Sequence, residues 1–260
     1  MSLAGKKTGF AGFLHDLGGI TVFSLRWFRE VAVPPFETSE FFKQCYHTGY
    51  KSLTLVGITA FIMGLVLTLQ SRPTLVEFGA ESWLPKMVAI SVIREMGPMI
   101  TALITAGKVG SGLGAEIGSM RVTEQIDAME VSGINPFKYI IATRVMACTC
   151  MLPLLVMYSD LISLLGSFVG VNISGHVSLM LFQSQVFSSV EYSDFIPSLV
   201  KSYVFGYIIG MVGCYKGYHC GTGTEDVGRA ANEAVVFASL MIFVADMLMV
   251  QLLEMTGILD

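Results

Sequence analysis

Residues Ser52–Ser71 form a run of 20 without a charged side chain. A helix needs about that many residues to cross ~30 Å of hydrocarbon. Inside a bilayer the backbone has only itself to hydrogen-bond, so a single run of this kind folds as a helix. The same constraint recurs along the chain. Long apolar stretches cover 86–108, 140–171, 196–215 and 234–253, and from Val145 the third is interrupted only by Asp160. The chain is 53% hydrophobic and 14% charged, whereas a soluble domain carries charge on about a quarter of its residues. The expected fold is all-α, a single membrane domain over 1–260 with five transmembrane helices.

The flanking segments set the topology. His15–Val33 mixes Arg26, Trp27 and Arg29 with Val22, Phe23, Leu25 and Phe28. It is too polar to span and suits an interfacial helix over 15–33, stopped by Pro34-Pro35. Phe36–Lys51 reads as a polar connector. Arg72–Pro85, Asn172–Asp194 and Lys216–Glu233 read as loops. Lys6-Lys7 precede a weakly apolar stretch broken by Gly12, His15, Asp16 and Gly18-Gly19, so no cleaved signal peptide is expected. The N-terminal segment, the 108–144 connector and the 216–233 loop hold twelve of the 16 basic residues, against Arg72, Lys86 and Lys201 on the other side. Basic residues accumulate in the cytoplasm. The N-terminus is therefore expected inside and the C-terminus outside.

Several motifs are false. Gly107-Lys108-Val109-Gly110-Ser111 lacks the spacing and the Ser or Thr of a phosphate loop. The glycines at 110, 112 and 114 follow a membrane helix, not the strand of a dinucleotide fold. No ATP site is expected in this chain. Cys214 with His219-Cys220 is at most half a zinc site, so no metal is expected, and nothing is basic enough for nucleic acid. Glycines three or four apart at 107–118, 166–170 and 206–217 suit close helix packing in lipid. Glu116–Ser132 reads as one amphipathic helix ended by Gly133. Ile117, Met120, Ile126 and Met129 lie on one side, and Arg121, Glu124 and Asp127 on the other. Such a helix either lies on the membrane or docks a soluble partner.

The blocks Arg94-Glu95-Met96-Gly97-Pro98, Ala115-Glu116-Ile117-Gly118-Ser119-Met120-Arg121 and Thr123 through Met129 closely resemble the MlaE-type permease family. These are membrane subunits of ABC transporters that move phospholipid between bacterial membranes. The resemblance is strong from about Gly57 to Gly170 and extends through 234–253. It implies a homodimer in the inner membrane of a Gram-negative bacterium, maintaining outer-membrane lipid asymmetry. The implied partners are a separate ATPase chain that binds ATP and Mg, a STAS-domain subunit and a hexamer of MCE-domain chains. The 116–132 helix becomes a cytoplasmic coupling helix, with Glu116, Arg121, Glu124 and Asp127 as contacts to the ATPase. The implied lipid pocket, open to the periplasm, is lined by Leu67, Gln70, Leu75, Phe78, Arg94 and Glu95. Phe78 stands where the family sometimes has tyrosine. For Leu67, Leu75 and Phe78, plain packing accounts for the residue types equally well.

Depth singles out the charges. Arg94 lies eight residues below Lys86, about 12 Å at 1.5 Å per residue. Asp246 lies about 18 Å from Ala234 on the same scale, and Asp160 also falls in an outer half-span. Arg94 and Glu95 are neighbours, so they point about 100° apart and each needs another partner. Asp160 or Asp246 is the expected partner of Arg94. The cluster suits either a network that fixes helix packing or the polar floor of a lipid cavity. The same four charges suit an ion-coupled secondary transporter, and a membrane enzyme is the remaining rival.

Overall fold

The computed structural model describes residues 10–31, 34, 36–174, 178–190 and 192–255. Lys6, Lys7, Glu191, Asp260 and the last two residues of the expected 15–33 helix lie outside them. In chain order the helices are α1 (Phe10–Val31), α2 (Thr38–Thr48), α3 (Leu53–Glu77), α4 (Leu84–Ser91), α5 (Gly97–Thr105) and α6 (Ser111–Val122). There follow α7 (Gln125–Val131), α8 (Thr143–Ser174), α9 (Leu179–Phe187), α10 (Tyr192–Tyr218) and α11 (Thr224–Met255). Wider π turns at Val92–Met96, Ala106–Gly110 and Phe137–Ala142 join α4 to α5, α5 to α6, and lead into α8. Among the described residues there is no strand, and five segments are long and apolar enough to cross a membrane. They are Thr38–Glu77, Glu81–Val122, Phe137–Ile173, Ser193–Tyr218 and Thr224–Met255.

The spans are longer than their uncharged cores because helix continues into the polar flanks. The stretch 36–51 is not a connector. It holds α2, which packs on α8 and buries Gln44 and Thr48. Its polar side is satisfied locally, with Gln44 Nε2 donating to Glu40 Oε1 at 2.7 Å. Arg72 to Glu77, expected as loop, extends α3 past Pro73. The helix stops where Gly79 turns left-handed (φ 67°) and the Ala80 N–H reaches the Leu75 carbonyl at 2.8 Å. The first third of α11, expected as loop, carries Glu225 and Asp226 in its first turn, where carboxylates favour the helix N-terminus.

Close backbone approach organises the bundle. A Cβ at Gly64 of α3 would meet the Ser163 carbonyl of α8, and one at Gly166 the Phe61 carbonyl. A Cβ at Gly210 of α10 would lie 2.9 Å from Val145 Cα, and one at Gly114 of α6 3.1 Å from Ala231 Cα. All five spans are thus joined through close glycine contacts, α8 to both α3 and α10, and α6 to α11, as small residues allow in lipid. Gly107, in contrast, meets nothing within 4 Å. The core centres on α8 and α10, with Phe137, Leu152, Leu155, Phe205, Ile209 and Met211 fully buried. Helix α11 is peripheral and leaves Val236, Leu240, Phe243 and Met247 exposed.

One end of the bundle, the near face, is crossed by α1. Phe23 and Trp27 pack inward while Val22, Leu25 and Phe28 face out. An ion pair and a cation–π contact hold it there: Lys216 Nζ donates to Asp16 Oδ2 at 2.6 Å, and the Arg26 guanidinium sits 4.3 Å from the Phe137 ring centre. The far face carries the α3–α4 turn, closed by Arg72 and Glu81 at 2.7 Å, together with α9. The segment 172–194 was expected as loop. Instead α8 runs on to Ser174, α9 follows, and its Phe182 and Val186 join a second apolar cluster with Leu84, Val88 and Val92.

The expected single helix over 116–132 is two. α6 continues the second span as far as Val122, and the chain then breaks at Glu124, which has φ 57°. A left-handed residue cannot continue an α-helix. The short α7 restarts beyond it and buries Ile126.

Candidate functional site

Pro98 shapes the second span. It has no N–H, so the Arg94 carbonyl loses the donor that a regular helix would supply. The backbone widens into the π turn Val92–Met96, and the Gly97 N–H reaches back to the Val92 carbonyl. Such turns frequently coincide with functional positions. The orphaned Arg94 carbonyl is met by another helix, since Lys201 Nζ of α10 lies 3.5 Å away. Gly97 is needed at this joint, because a Cβ there would run into Asp160 Oδ1.

The widened turn aims Arg94 and Glu95 at different partners. Arg94 Nε donates to Asp194 Oδ1, in the first turn of α10. Glu95 Oε1 accepts from Lys201 Nζ at 2.6 Å, and the same ammonium lies 3.1 Å from Asp246 Oδ1 on α11. Two cations and three carboxylates therefore meet between the second, fourth and fifth spans, a net charge of −1 when all are ionised. Their exposure is uneven. The Lys201 side chain is 1% exposed and Asp246 15%, whereas Glu95 remains 46% exposed. Asp194 is buried and Arg94 partly open. The cluster is anchored at the bottom and has two open edges, a guanidinium and a carboxylate.

This corrects one expectation and adds two residues. Arg94 pairs with neither Asp160 nor Asp246. Asp246 serves Lys201, while Asp160 is buried against Gly97, and its Oδ1 finds no donor among the described residues. Lys201 was counted among the outer basic residues near the start of the fourth span, and Asp194 was read as a loop residue. Once α10 is seen to begin at Tyr192, Lys201 lies nine residues in, about 14 Å deep, the same signal that exposed Arg94. Of the residues expected to line a pocket with them, Leu67 and Leu75 pack in the apolar cluster that contains Val92. Gln70 and Phe78 stand exposed at the far end of α3 and just beyond it.

At the near face, Glu116 accepts from the buried Arg144 at 2.6 Å, tying α6 to the start of α8. Arg121 and Asp127 pair across the α6–α7 break at 2.7 Å, and Glu124 is exposed at the break itself. No group of three His, Cys, Asp or Glu among the described residues is arranged to hold a metal ion.

Spans that bury ion pairs between them, joined by a kinked and widened second helix, define a polytopic helical membrane protein with a charged site inside its bundle. A sequence model of the family described as Permease MlaE matches residues 41–252. A probable ABC transporter permease protein of Rickettsia typhi is 36% identical over 97% of this chain and 96% of its own length. A probable ABC transporter permease protein of Synechocystis is 32% identical over 90% and 94%. The intermembrane phospholipid transport system permease protein MlaE of Haemophilus influenzae is 34% identical over 83% of each chain. The chain belongs to the MlaE permease family.

Proposed function

We propose that this chain is the permease subunit of an ABC transporter that moves phospholipid between the inner and outer membranes of a Gram-negative bacterium, maintaining outer-membrane lipid asymmetry. The observation that carries the reading is the half-open charge cluster in the far half of the bundle. Lys201 and Asp246 hold it in place, and Arg94 and Glu95 keep open edges. A guanidinium suits a phosphate diester, which it can engage through two parallel N–H donors. The name carried by the Haemophilus relative supports the substrate class.

The near face is cytoplasmic and the far face periplasmic. Arg26, Arg29, Lys51, Lys108, Arg121 and Lys216 all belong to near-face segments, and the burial of Lys201 leaves Arg72 and Lys86 as the far-side basic residues. The C-terminus is periplasmic. α1 lies in the inner leaflet with Val22, Leu25 and Phe28 toward lipid. Two copies form a homodimer around a lipid cavity open to the periplasm, to which Leu67, Gln70, Leu75 and Phe78 contribute wall. A separate ATPase binds ATP and Mg and docks on α6 and α7. A STAS-domain subunit and a hexamer of MCE-domain chains complete the assembly. The second span is helical from Glu81 to Val122, so movement of α6 by the ATPase reaches Arg94 and Glu95 through one jointed rod. Closing the dimer then reduces the cavity's volume and its hold on lipid.

Purification of the tagged permease from its own membrane tests this. The expected result is stoichiometric recovery with an ATPase chain, and phospholipid in the purified complex. Recovery of a lipid-free permease with no ATPase would contradict it and favour an ion-coupled transporter.

A further inference from the structure

Helix α9 reads LMLFQSQVF and is apolar on both sides. Phe182 and Val186 point inward, yet Met180 is 83% exposed and Phe187 79%. Large apolar side chains left this open suit lipid better than water, and Gln183, Ser184 and Gln185 suit its polar boundary. Its depth follows from its neighbour α4, on which it packs. Lys86, in the first turn of α4, lies 5.3 Å from the Trp83 ring centre, and a Trp with a Lys marks the level of lipid headgroups. α9 shares a cluster with Leu84 and Val88, on either side of Lys86. It therefore sits at the boundary of headgroups and acyl chains.

Below α9 opens a cavity of about 550 Å³ between α8, α9 and the start of α10. Leu161, Leu165, Phe168, Phe187 and Phe195 wall it, and Gln183 supplies a polar group. Its floor reaches Ile93, seven residues below Lys86, about 10 Å deeper. Along α8 it extends from Leu161 to Phe168, again about 10 Å. The cavity thus runs from headgroup level into the hydrocarbon, parallel to a lipid tail. Its volume falls in the range of about 300–1,000 Å³ usual for bound small molecules. An α-helix about 10 Å across would fill it within roughly 7 Å of its length, little more than one turn. A thin flexible chain fits the space and a partner helix does not.

We propose that this groove is a lateral binding site for an acyl chain of a phospholipid from the outer leaflet of the inner membrane, one per protomer and separate from the dimer cavity. The proposal rests on the phospholipid-permease reading above. Its floor residue, Ile93, belongs to the π turn that carries Arg94 and Glu95. A chain in the groove abuts the segment that holds the charge cluster.

The test uses the assembled complex in vesicles of phosphatidylethanolamine and phosphatidylglycerol. The probe is a phosphatidylethanolamine with a photoreactive diazirine on one acyl chain. Peptides covering 161–168 and 179–187 should be labelled about tenfold over those around the exposed Leu154 of the same helix, outside the groove. Leu165→Trp, at an exposed wall position, should remove that excess while the complex still elutes intact. Leu161→Trp serves where Leu165→Trp fails to assemble. Equal labelling of all exposed apolar faces would mean bulk lipid only and overturn the site. Groove labelling seen in the permease alone but lost in the full complex would mean that a protein partner covers it, and would also overturn it. Glu95→Gln should leave groove labelling unchanged, so failure of the groove and failure of the cargo reading are told apart.

Discussion

Replacing Lys201 by methionine removes a buried cation that serves two carboxylates of the cluster. The ammonium is 1% exposed, 2.6 Å from Glu95 and 3.1 Å from Asp246, and Asp246 is itself only 15% exposed. Deleting one partner of a buried pair leaves an uncompensated charge and costs about 3–5 kcal/mol. Glu95→Gln is a smaller perturbation, because Lys201 keeps Asp246 and the lost carboxylate was 46% exposed. An open, screened pair of that kind is worth about 1 kcal/mol at most. Thermal unfolding of the solubilised complex, followed by size-exclusion chromatography, separates the two. For a chain of this size Lys201→Met should lower Tm on the order of 10 °C, and Glu95→Gln by only about 2–4 °C. Adding Asp246→Asn to Lys201→Met should recover most of the loss, since the one carboxylate then left without its cation, Glu95, is 46% exposed and already partly solvated. The reasoning is refuted if Lys201→Met melts with the wild type, or if Glu95→Gln falls as far as Lys201→Met.

Other outcomes follow from the same geometry. Gly64→Val places side-chain atoms against the Ser163 carbonyl and should destabilise by about 1–3 kcal/mol, read as a lowered melting temperature, whereas Gly107→Ala, which meets open space, should not. Glu124→Lys with Asp127→Lys should lower recovery of the ATPase while leaving the permease dimer intact on size exclusion; unchanged recovery counts against α7 as the docking element. A cysteine appended after Asp260 should react with an impermeant thiol reagent in spheroplasts, and labelling only after lysis would reverse the proposed topology.

Much of the fold was legible because spans such as 52–71 exclude charge, a requirement set by the solvent and independent of tertiary contacts. Their ends were not, because helix persists into polar sequence wherever it can still pack or cap, as α2 does on α8 and α11 does beyond its acidic first turn. α9 was missed because it is only nine residues long, is interrupted by Gln183-Ser184-Gln185, and is flanked by Asn172, Gly175 and Ser178 before it and Ser188-Ser189 after it. The break at Glu124 gave no signal, since a left-handed glutamate looks like any helical one in sequence. At the site, composition and depth exposed Arg94, Glu95 and Asp246. Their pairing depended on which spans adjoin, and that is fixed by glycine faces in contact, such as Gly213 with Gly110. Lys201, near the start of the expected 196–215 span, was counted with the outer basic residues until the earlier start of α10 put it deep inside the bundle.

Lipid transfer by the Glu95→Gln complex tests the central claim most directly. The complex, checked for normal assembly and near-normal melting, is reconstituted with its ATPase and given a fluorescent phospholipid. Its ATP-dependent transfer rate is then compared with that of the wild type. If the open edge of the charge cluster handles cargo, transfer falls severalfold while assembly holds. Transfer at the wild-type rate by a normally assembled Glu95→Gln complex would contradict the account.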